Sequence, residues 1–543
     1  MRIAKFKKIT AVLLSAITFA SVGAMAGCKV TPDDSLDFYE EVDPTRTQLY
    51  IGNFNGGYGF EWISKAKERF EKENPDVQIM IDNGKDEYRS TVLRQNIDKN
   101  RQDMYVVDDA AYYVYINEGM IMDVTDVVTE GGDNSIESRL KEKMQGYYKT
   151  PEGKYYGLPF YQTFFHLSYD VDLFDEYCLW LNEDGTDFVT SLDEPRYPGL
   201  KGEEGTWDEG LPRTYSQFFM LMDKMVQYGI TPITGNGKGK DWYYGQFLSS
   251  VVADYEGSDY AVTYSLNGSI KTIATTDFED APVGTFSLPE SAYGTATVTM
   301  DNYQTVLKNR AGRYYAIKMA YDILANNFKY VKQDKFNSPA ETHTGAHSTF
   351  LRSRYLNKPI AMLIEGGYWY NEAKVTMEAM ADEYGDEWHW KNRRIGVMPI
   401  PKADDGSSAE GRTLTSGATS MIFISNYTQK AELAKKFFKF IHTDESLREF
   451  TVTTSGHRPF NYTLTDAEKA QLPYYAQQVD QVIKEAEFIP SLPTNPALYV
   501  GFDSSTAGAS FQAIINGSSH TLPFATFFED RSITAKDYFI NLK

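Results

Sequence analysis

The 543-residue chain is long enough for two domains and carries 75 acidic against 54 basic residues, a formal net charge of −21. That balance excludes nucleic acid as a partner, because so acidic a surface repels phosphate. Only two cysteines occur, Cys28 and Cys178, enough for at most one disulfide, so stability has to come chiefly from core size.

The first segment reads as an address. Arg2, Lys5, Lys7 and Lys8 form a basic start, residues 9–22 an apolar run, and Ala24-Met25-Ala26-Gly27 a short stretch directly before Cys28. The run is shorter than the ~20 residues of a bilayer span, so export and cleavage before Cys28 are expected. A cysteine at the cut predicts a lipoprotein, whose two or more acyl chains anchor it stably where one holds only marginally. An ordinary secretory signal with a chance cysteine is the competing reading, since Met25 stands where leucine is usual. Cleavage takes the net charge to about −25, four basic residues being lost. Residues 29–46, polar and acidic with Pro32 and Pro44, predict a disordered tether.

Residues 49–54 then form a strand, followed by the turn Asn55-Gly56-Gly57-Tyr58-Gly59. Trp62, Ile63, Ala66 and Phe70 recur at helical spacing until Asn74-Pro75, and residues 77–81 form a second strand. Strand, helix and strand in this order predict a parallel sheet. A third strand over 104–107 ends in Asp108-Asp109, before a helix over 110–117. Tyr112, Tyr113 and Tyr115 wind around that helix, so at least one of them faces core or solvent. Ligands of open α/β sheets bind beyond the carboxyl ends of the strands, which makes 53–59 and 108–111 candidate binding edges.

The turn Gly56-Gly57-Tyr58-Gly59 lacks the spacing and the following Lys-Ser/Thr of a nucleotide loop, so a ligand-admitting turn is the better reading. No zinc-protease or serine-hydrolase motif occurs, and no cofactor is implied. The segment 182–187 has an incomplete calcium-loop spacing, with a solvated turn as the alternative and no metal assigned. Aromatics make up 14% of the chain, with 39 tyrosines. Tyrosine stacks and hydrogen-bonds at once, which suits the apolar faces and hydroxyl rims of sugars. A compositional habit of the organism would give the same excess.

Several collinear segments resemble the extracellular solute-binding proteins of ABC importers, the family 1 group that includes oligosaccharide- and maltose-type binders. Besides the unit at 50–81, these are Tyr156-Gly-Leu-Pro-Phe-Tyr-Gln162 with Leu167-Ser-Tyr-Asp-Val-Asp-Leu-Phe174, Pro212-Arg-Thr-Tyr-Ser-Gln-Phe218 with Tyr228-Gly-Ile-Thr-Pro-Ile233, and Ala361-Met-Leu-Ile-Glu-Gly-Gly-Tyr-Trp369. Gly396-Val-Met-Pro-Ile-Pro401, Leu433 to Ile441 and Ser455-Gly-His-Arg-Pro459 follow in order. The chain departs from the family in length, chiefly around 175–210 and 250–350.

The resemblance implies an α/β, two-lobe fold of the periplasmic-binding-protein type, each lobe holding a mainly parallel sheet. Hinge crossings are expected near 160, 400 and 458, at Pro159, Pro399 and Pro459, with a ligand cleft between the lobes. Lobe one would hold 47–160 and 400–456, lobe two 161–399 and 457–543. The implied partners are a small carbohydrate ligand and the permease subunits of an ABC transporter. The protein would be a monomer, lipid-anchored at the extracellular face of the bacterial membrane.

Trp369 is the foremost ligand-binding candidate, since Gly366-Gly367 before it admits close approach and the indole offers a stacking face; a core tryptophan is the competing role. Tyr161 and Gln162 are expected on the cleft floor, Trp242 and Tyr243 on the lobe-two wall. Asp108 or Asp109 would accept from sugar hydroxyls, unless it caps the next helix. Glu365 is similar, or pairs with Arg458 at the hinge. Asn53, Asn55, Tyr58, Ser416 and Gly417 complete the set. A secreted glycan-degrading enzyme would also explain export, acidity and aromatics, but it needs two carboxylates ~5 to 10 Å apart across the scissile bond. A peptide or cationic solute is a further alternative, distinguished by a carboxylate cage instead of aromatic faces.

Overall fold

A computed structural model describes residues 40–99, 102–108, 112–203, 205–238, 240–274, 278–416, 420–496 and 534–541. Residues 1–39, among them Cys28, and Asp109 and Gly417 lie outside the described residues, as does the side chain of Ser416.

Strand β1 (Thr47–Phe54) pairs in parallel with β2 (Val77–Gly84) and with β3 (Met104–Asp108). The helix Glu61–Glu73 connects β1 to β2 and buries Trp62, Ile63, Ala66 and Phe70, the residues at its 3.6-residue spacing. The burial of Ile63 and of Phe70 contributes about 1.5 to 3 kcal/mol each, that of the Ala66 methyl less. Trp62 stacks on Phe160 with centroids 5.9 Å apart and the rings within 11° of parallel. Tyr112, Tyr113 and Tyr115 are all buried. Because the three strands run parallel, their carboxyl ends emerge on one edge, Phe54 beside Gly84 and Asn53 beside Val106.

The second sheet has the order β5-β8-β4-β9, with β4 at Phe165–Asp170, β5 at Thr231–Thr234, β8 at Ile360–Gly366 and β9 at Ile395–Met398. Only β5 and β8 run parallel; β4 is antiparallel to both β8 and β9. This sheet is therefore mixed rather than mainly parallel, since β4 enters the lobe from the first crossing against the run of its neighbours. Along β4 the side chains alternate: Phe165, Leu167 and Tyr169 join the second lobe's aromatic core, while His166 and Ser168 face the helix Tyr474–Glu485 and Trp369. The helix Tyr215–Gln227 starts at Thr214, whose hydroxyl and Gln217 form a reciprocal capping box, and Gly229 after it adopts φ +73°. The extra length of this lobe folds into the helices Lys240–Glu256 and Ala311–Phe328 and the antiparallel pair β6 (Gly268–Ile273) and β7 (Tyr293–Val298).

Two expectations about boundaries change. Residues 400–416 belong with the second lobe: β9 stops before Pro399, but Lys402 then pairs with Asp254 at 2.8 Å and donates its N–H to Arg213 O. Strand β10 (Thr413–Ser416) pairs with β12 (Glu487–Pro490), and the chain reaches the first sheet only at β11 (Ser420–Ile424), antiparallel to β3. The chain thus still packs with the second lobe beyond Pro399 and 400, where a crossing was expected. Residues 40–46, placed in a disordered tether by composition, pack on the polar edge of β2 instead. Asp43 N–H donates to Gln78 Oε1 at 2.8 Å, and Arg46 pairs with Glu71 at 3.0 Å. The first and third crossings run side by side, Gln162 N–H donating to His457 O at 2.7 Å. Among the described residues no helix is long and apolar enough to cross a membrane.

A candidate ligand-binding cleft between the lobes

A cavity of about 410 Å³ opens between the two sheets. Phe54, Gly56, Gly57, Tyr58, Lys85, Arg89, Asp108, Phe160 and Tyr161 line it from the first lobe, and Trp242, Tyr243, His343, Tyr368 and Glu372 from the second. The first group comes from the loops after β1, β2 and β3 and from the first crossing, as the strand-end rule requires.

Its polar groups are held in place. Tyr161 donates its hydroxyl to Asp108 at the end of β3. The rings of Tyr58 and Tyr161 lie 5.1 Å apart. Trp242 stands edge-on to Phe165 at 5.2 Å and to Tyr243 at 4.9 Å, and keeps 43% of its surface exposed. Tyr243 lies parallel to the His343 ring at 6.4 Å. Burial pushes the Tyr243 and Tyr368 hydroxyls well above the usual phenol range, so both stay neutral donors. Burial pushes Glu372 up to about 7 and His343 down to about 4; the two approach to 3.9 Å, and Glu372 Oε2 is buried without a hydrogen-bond partner.

Glycine is required where the lobes meet. A Cβ on Gly57 would lie 2.6 Å from the Tyr368 ring, and Gly59 has φ +64°. Asn371 Nδ2 donates across to Gly57 O at 3.0 Å, and Lys374 Nζ to Thr453 O at 2.6 Å.

Of the residues singled out from sequence, Tyr58, Asp108, Tyr161, Trp242 and Tyr243 line the cleft. Trp369 does not. It is fully buried among His347, Phe350, Tyr370 and Tyr475, and its indole N–H donates to Ser168 Oγ at 2.9 Å. The helical turn begun by Trp369 puts Tyr368 and Glu372, four residues apart, on the cleft side instead. Gln162 is buried in the hinge, accepting from Lys141 Nζ at 2.9 Å. Asn53 is buried beside its register partner Asn83, to which it donates at 2.9 Å, and Asn55 does not reach the cavity.

Glu365 and Arg458 do not pair with each other. Glu365 lies 3.1 Å from His347, while Arg458 donates to Ile441 O at 2.5 Å and to Pro159 O at 3.4 Å, tying the crossings. The turn at 182–187 is self-contained, Asn182 Oδ1 accepting from the N–H groups of Thr186 and Asp187 at 3.1 Å. Sequence reasoning missed Lys85 and Arg89, although the strand-end rule covers the loop after Gly84, and missed Tyr368, which its more conspicuous neighbour hid. Nothing in the sequence marked His343.

Two α/β lobes around a cleft define a solute-binding protein of the periplasmic-binding type. The chain belongs to the bacterial extracellular solute-binding protein family, whose model matches residues 59–447. Among solved structures it is similar to the solute-binding protein RafE in complex with raffinose (14% identity, TM-score 0.51, covering 87% of this chain and 99% of that one). It is similar also to a chitin oligosaccharide binding protein (15%, 0.54, 92% and 97%). A third is a structure from work on xylan utilization by Caldanaerobius polysaccharolyticus (15%, 0.56, 91% and 98%). At these identities the likeness is one of fold. A sequence comparison with curated proteins finds no match.

Proposed function

We propose that the protein captures an oligosaccharide in this cleft and delivers it to the permease of an ABC transporter, without chemical turnover. The observation that carries the reading is the lining: seven aromatic side chains, Phe54, Tyr58, Phe160, Tyr161, Trp242, Tyr243 and Tyr368, against two carboxylates, Asp108 and Glu372. Aromatic faces suit the C–H faces of pyranose rings, and the phenol hydroxyls and carboxylates suit their hydroxyl rims. Solved structures of the same fold include one in complex with raffinose and one of a chitin oligosaccharide binding protein. A carboxylate cage, which a cationic solute or peptide would require, is not what this lining supplies.

In this reading the lobes close over the ligand by hinge motion about the three crossings. Cleavage before Cys28 and acylation of its sulfur anchor the mature protein, as a monomer, at the outer face of the membrane beside its permease. A thermal-shift screen against mono- and oligosaccharides tests the reading, because ligand at 100 times its Kd adds ~2.7 kcal/mol. Stabilisation by an oligosaccharide that is recovered uncleaved supports it. Stabilisation only by peptides or cations, or release of shorter sugars, contradicts it.

A further inference from the structure

The loop after β2 brings two cations to the first-lobe wall of the cleft, Lys85 and Arg89. Both are exposed. Lys85 forms no ion pair among the described residues. Among the described residues the ion pair of Arg89 is the short-range one to Asp86, 3.3 Å away with an Asp86 side chain that is 89% exposed, a pair worth little in water. The Arg89 guanidinium lies over the Phe54 ring, 5.7 Å from its centroid, a platform that fixes the direction of the fork. In a chain with 75 acidic and 54 basic residues, two cations in the inter-lobe cleft without a strong carboxylate partner among the described residues point to an anionic occupant.

We propose that the oligosaccharide carries a carboxylate, as a uronic acid unit does, and that Lys85 and Arg89 receive this group while the sugar rings lie against Trp242 and Tyr243. The inference rests on the carbohydrate reading above and narrows it. A guanidinium fork matches the two oxygens of a carboxylate, and an ammonium beside it adds a second charge-assisted bond. A neutral sugar would accept hydrogen bonds from both groups but leave their charge unneutralised.

The two acids of the cleft leave room for a third. Asp108 already accepts the Tyr161 hydroxyl. Glu372 is pushed up to about 7 by burial, so near neutral pH a large share of it is protonated and able to donate to an incoming carboxylate rather than repel it. Lys85 acts across the gap, since its charge is felt by both His343 and Glu372 on the opposite lobe. A ligand carboxylate on Lys85 therefore lies between the lobes, where closure removes water and strengthens the pairing.

The test is calorimetric titration of the full mature protein with neutral oligosaccharides and with charge-matched pairs. The pairs are trigalacturonate against its methyl ester, and xylotetraose with and without a glucuronic acid branch; a sulfated galactose trisaccharide is included. The expected tightest ligand carries a carboxylate, its neutral counterpart binds roughly tenfold or more weakly, and its affinity falls as salt is raised. Lys85→Gln and Arg89→Gln should each bring the ratio of acidic to neutral affinity toward one. A neutral or sulfated sugar as the tightest ligand overturns this inference and leaves the carbohydrate reading standing, as does a ratio that survives both substitutions together. If no carbohydrate of any kind binds, the carbohydrate reading itself has failed and this one with it.

Discussion

The rings of Tyr58 and Tyr368 meet edge to face across the cleft, 6.2 Å between centroids and 87° between planes. One comes from the loop after β1 and the other from the turn after β8, so the contact joins the binding edges of both lobes. Gly57 permits it, because its missing Cβ is where the Tyr368 ring lies. Gly57→Ala should displace Tyr368 or part the lobes, at a cost of ~1 to 3 kcal/mol for an overpacked contact. Ligand affinity should fall severalfold, and solution scattering of the free protein should give a larger radius of gyration. Wild-type affinity and radius together would show that the lobes do not depend on this approach.

Trp369 separates core from site. Its indole is fully buried and bonded to Ser168, so Trp369→Ala should cost ~3 to 5 kcal/mol of folding stability. Denaturant melts read this directly. The variant that remains folded should bind ligand with near wild-type affinity in titration; a loss of affinity at unchanged stability would put the indole back in the cleft.

The contrast between Tyr368 and Trp369 shows where the sequence runs out. The first sheet follows from residue pattern, since Trp62, Ile63, Ala66 and Phe70 mark one helix face and Asn74-Pro75 its end. That rule also places Tyr58 and Asp108 at strand ends. Which of two adjacent aromatics turns inward depends on how the turn Trp369–Glu372 docks on β4, a tertiary fact that no local spacing encodes. Pro399 ends β9, yet it does not send the chain to the other lobe, because the deciding ion pair joins Lys402 to Asp254, far apart in sequence.

Glu372 makes stability depend on pH in a signed way. Burial raises its folded value to about 7 from the usual 4.5, so between these values the unfolded chain has released a proton that the folded one keeps. Stability from this group is full below pH 4.5 and is lost as pH rises through 7. Glu372→Gln removes the effect, so its melting temperature relative to wild type should climb from pH 4.5 to 7 and then level off. A difference that stays constant over this range would contradict the assignment.

Cys28, directly after the proposed signal segment, should be the mature N-terminus. Mass spectrometry should find it acylated, and Cys28→Ser should release the protein from the cell envelope into detergent-free buffer. An unmodified terminus, or one elsewhere, would end the lipoprotein account.

The central claim is that an oligosaccharide lies against the aromatic wall of the cleft, and Trp242 tests it most directly. The residue is 43% exposed and its ring contacts in the protein are the edge-on ones to Phe165 and Tyr243, so Trp242→Ala should cost roughly 0.5 to 1.5 kcal/mol of folding stability per ring contact and leave the protein folded. A stacked indole adds ~0.5 to 1.5 kcal/mol beyond the area it buries, which together exceed the ~1.4 kcal/mol of a tenfold change. Calorimetric titration with the tightest oligosaccharide should therefore show at least a tenfold weaker Kd for Trp242→Ala, in a variant whose melt shows it fully folded at the titration temperature. Equal affinity of the two proteins would place the ligand elsewhere.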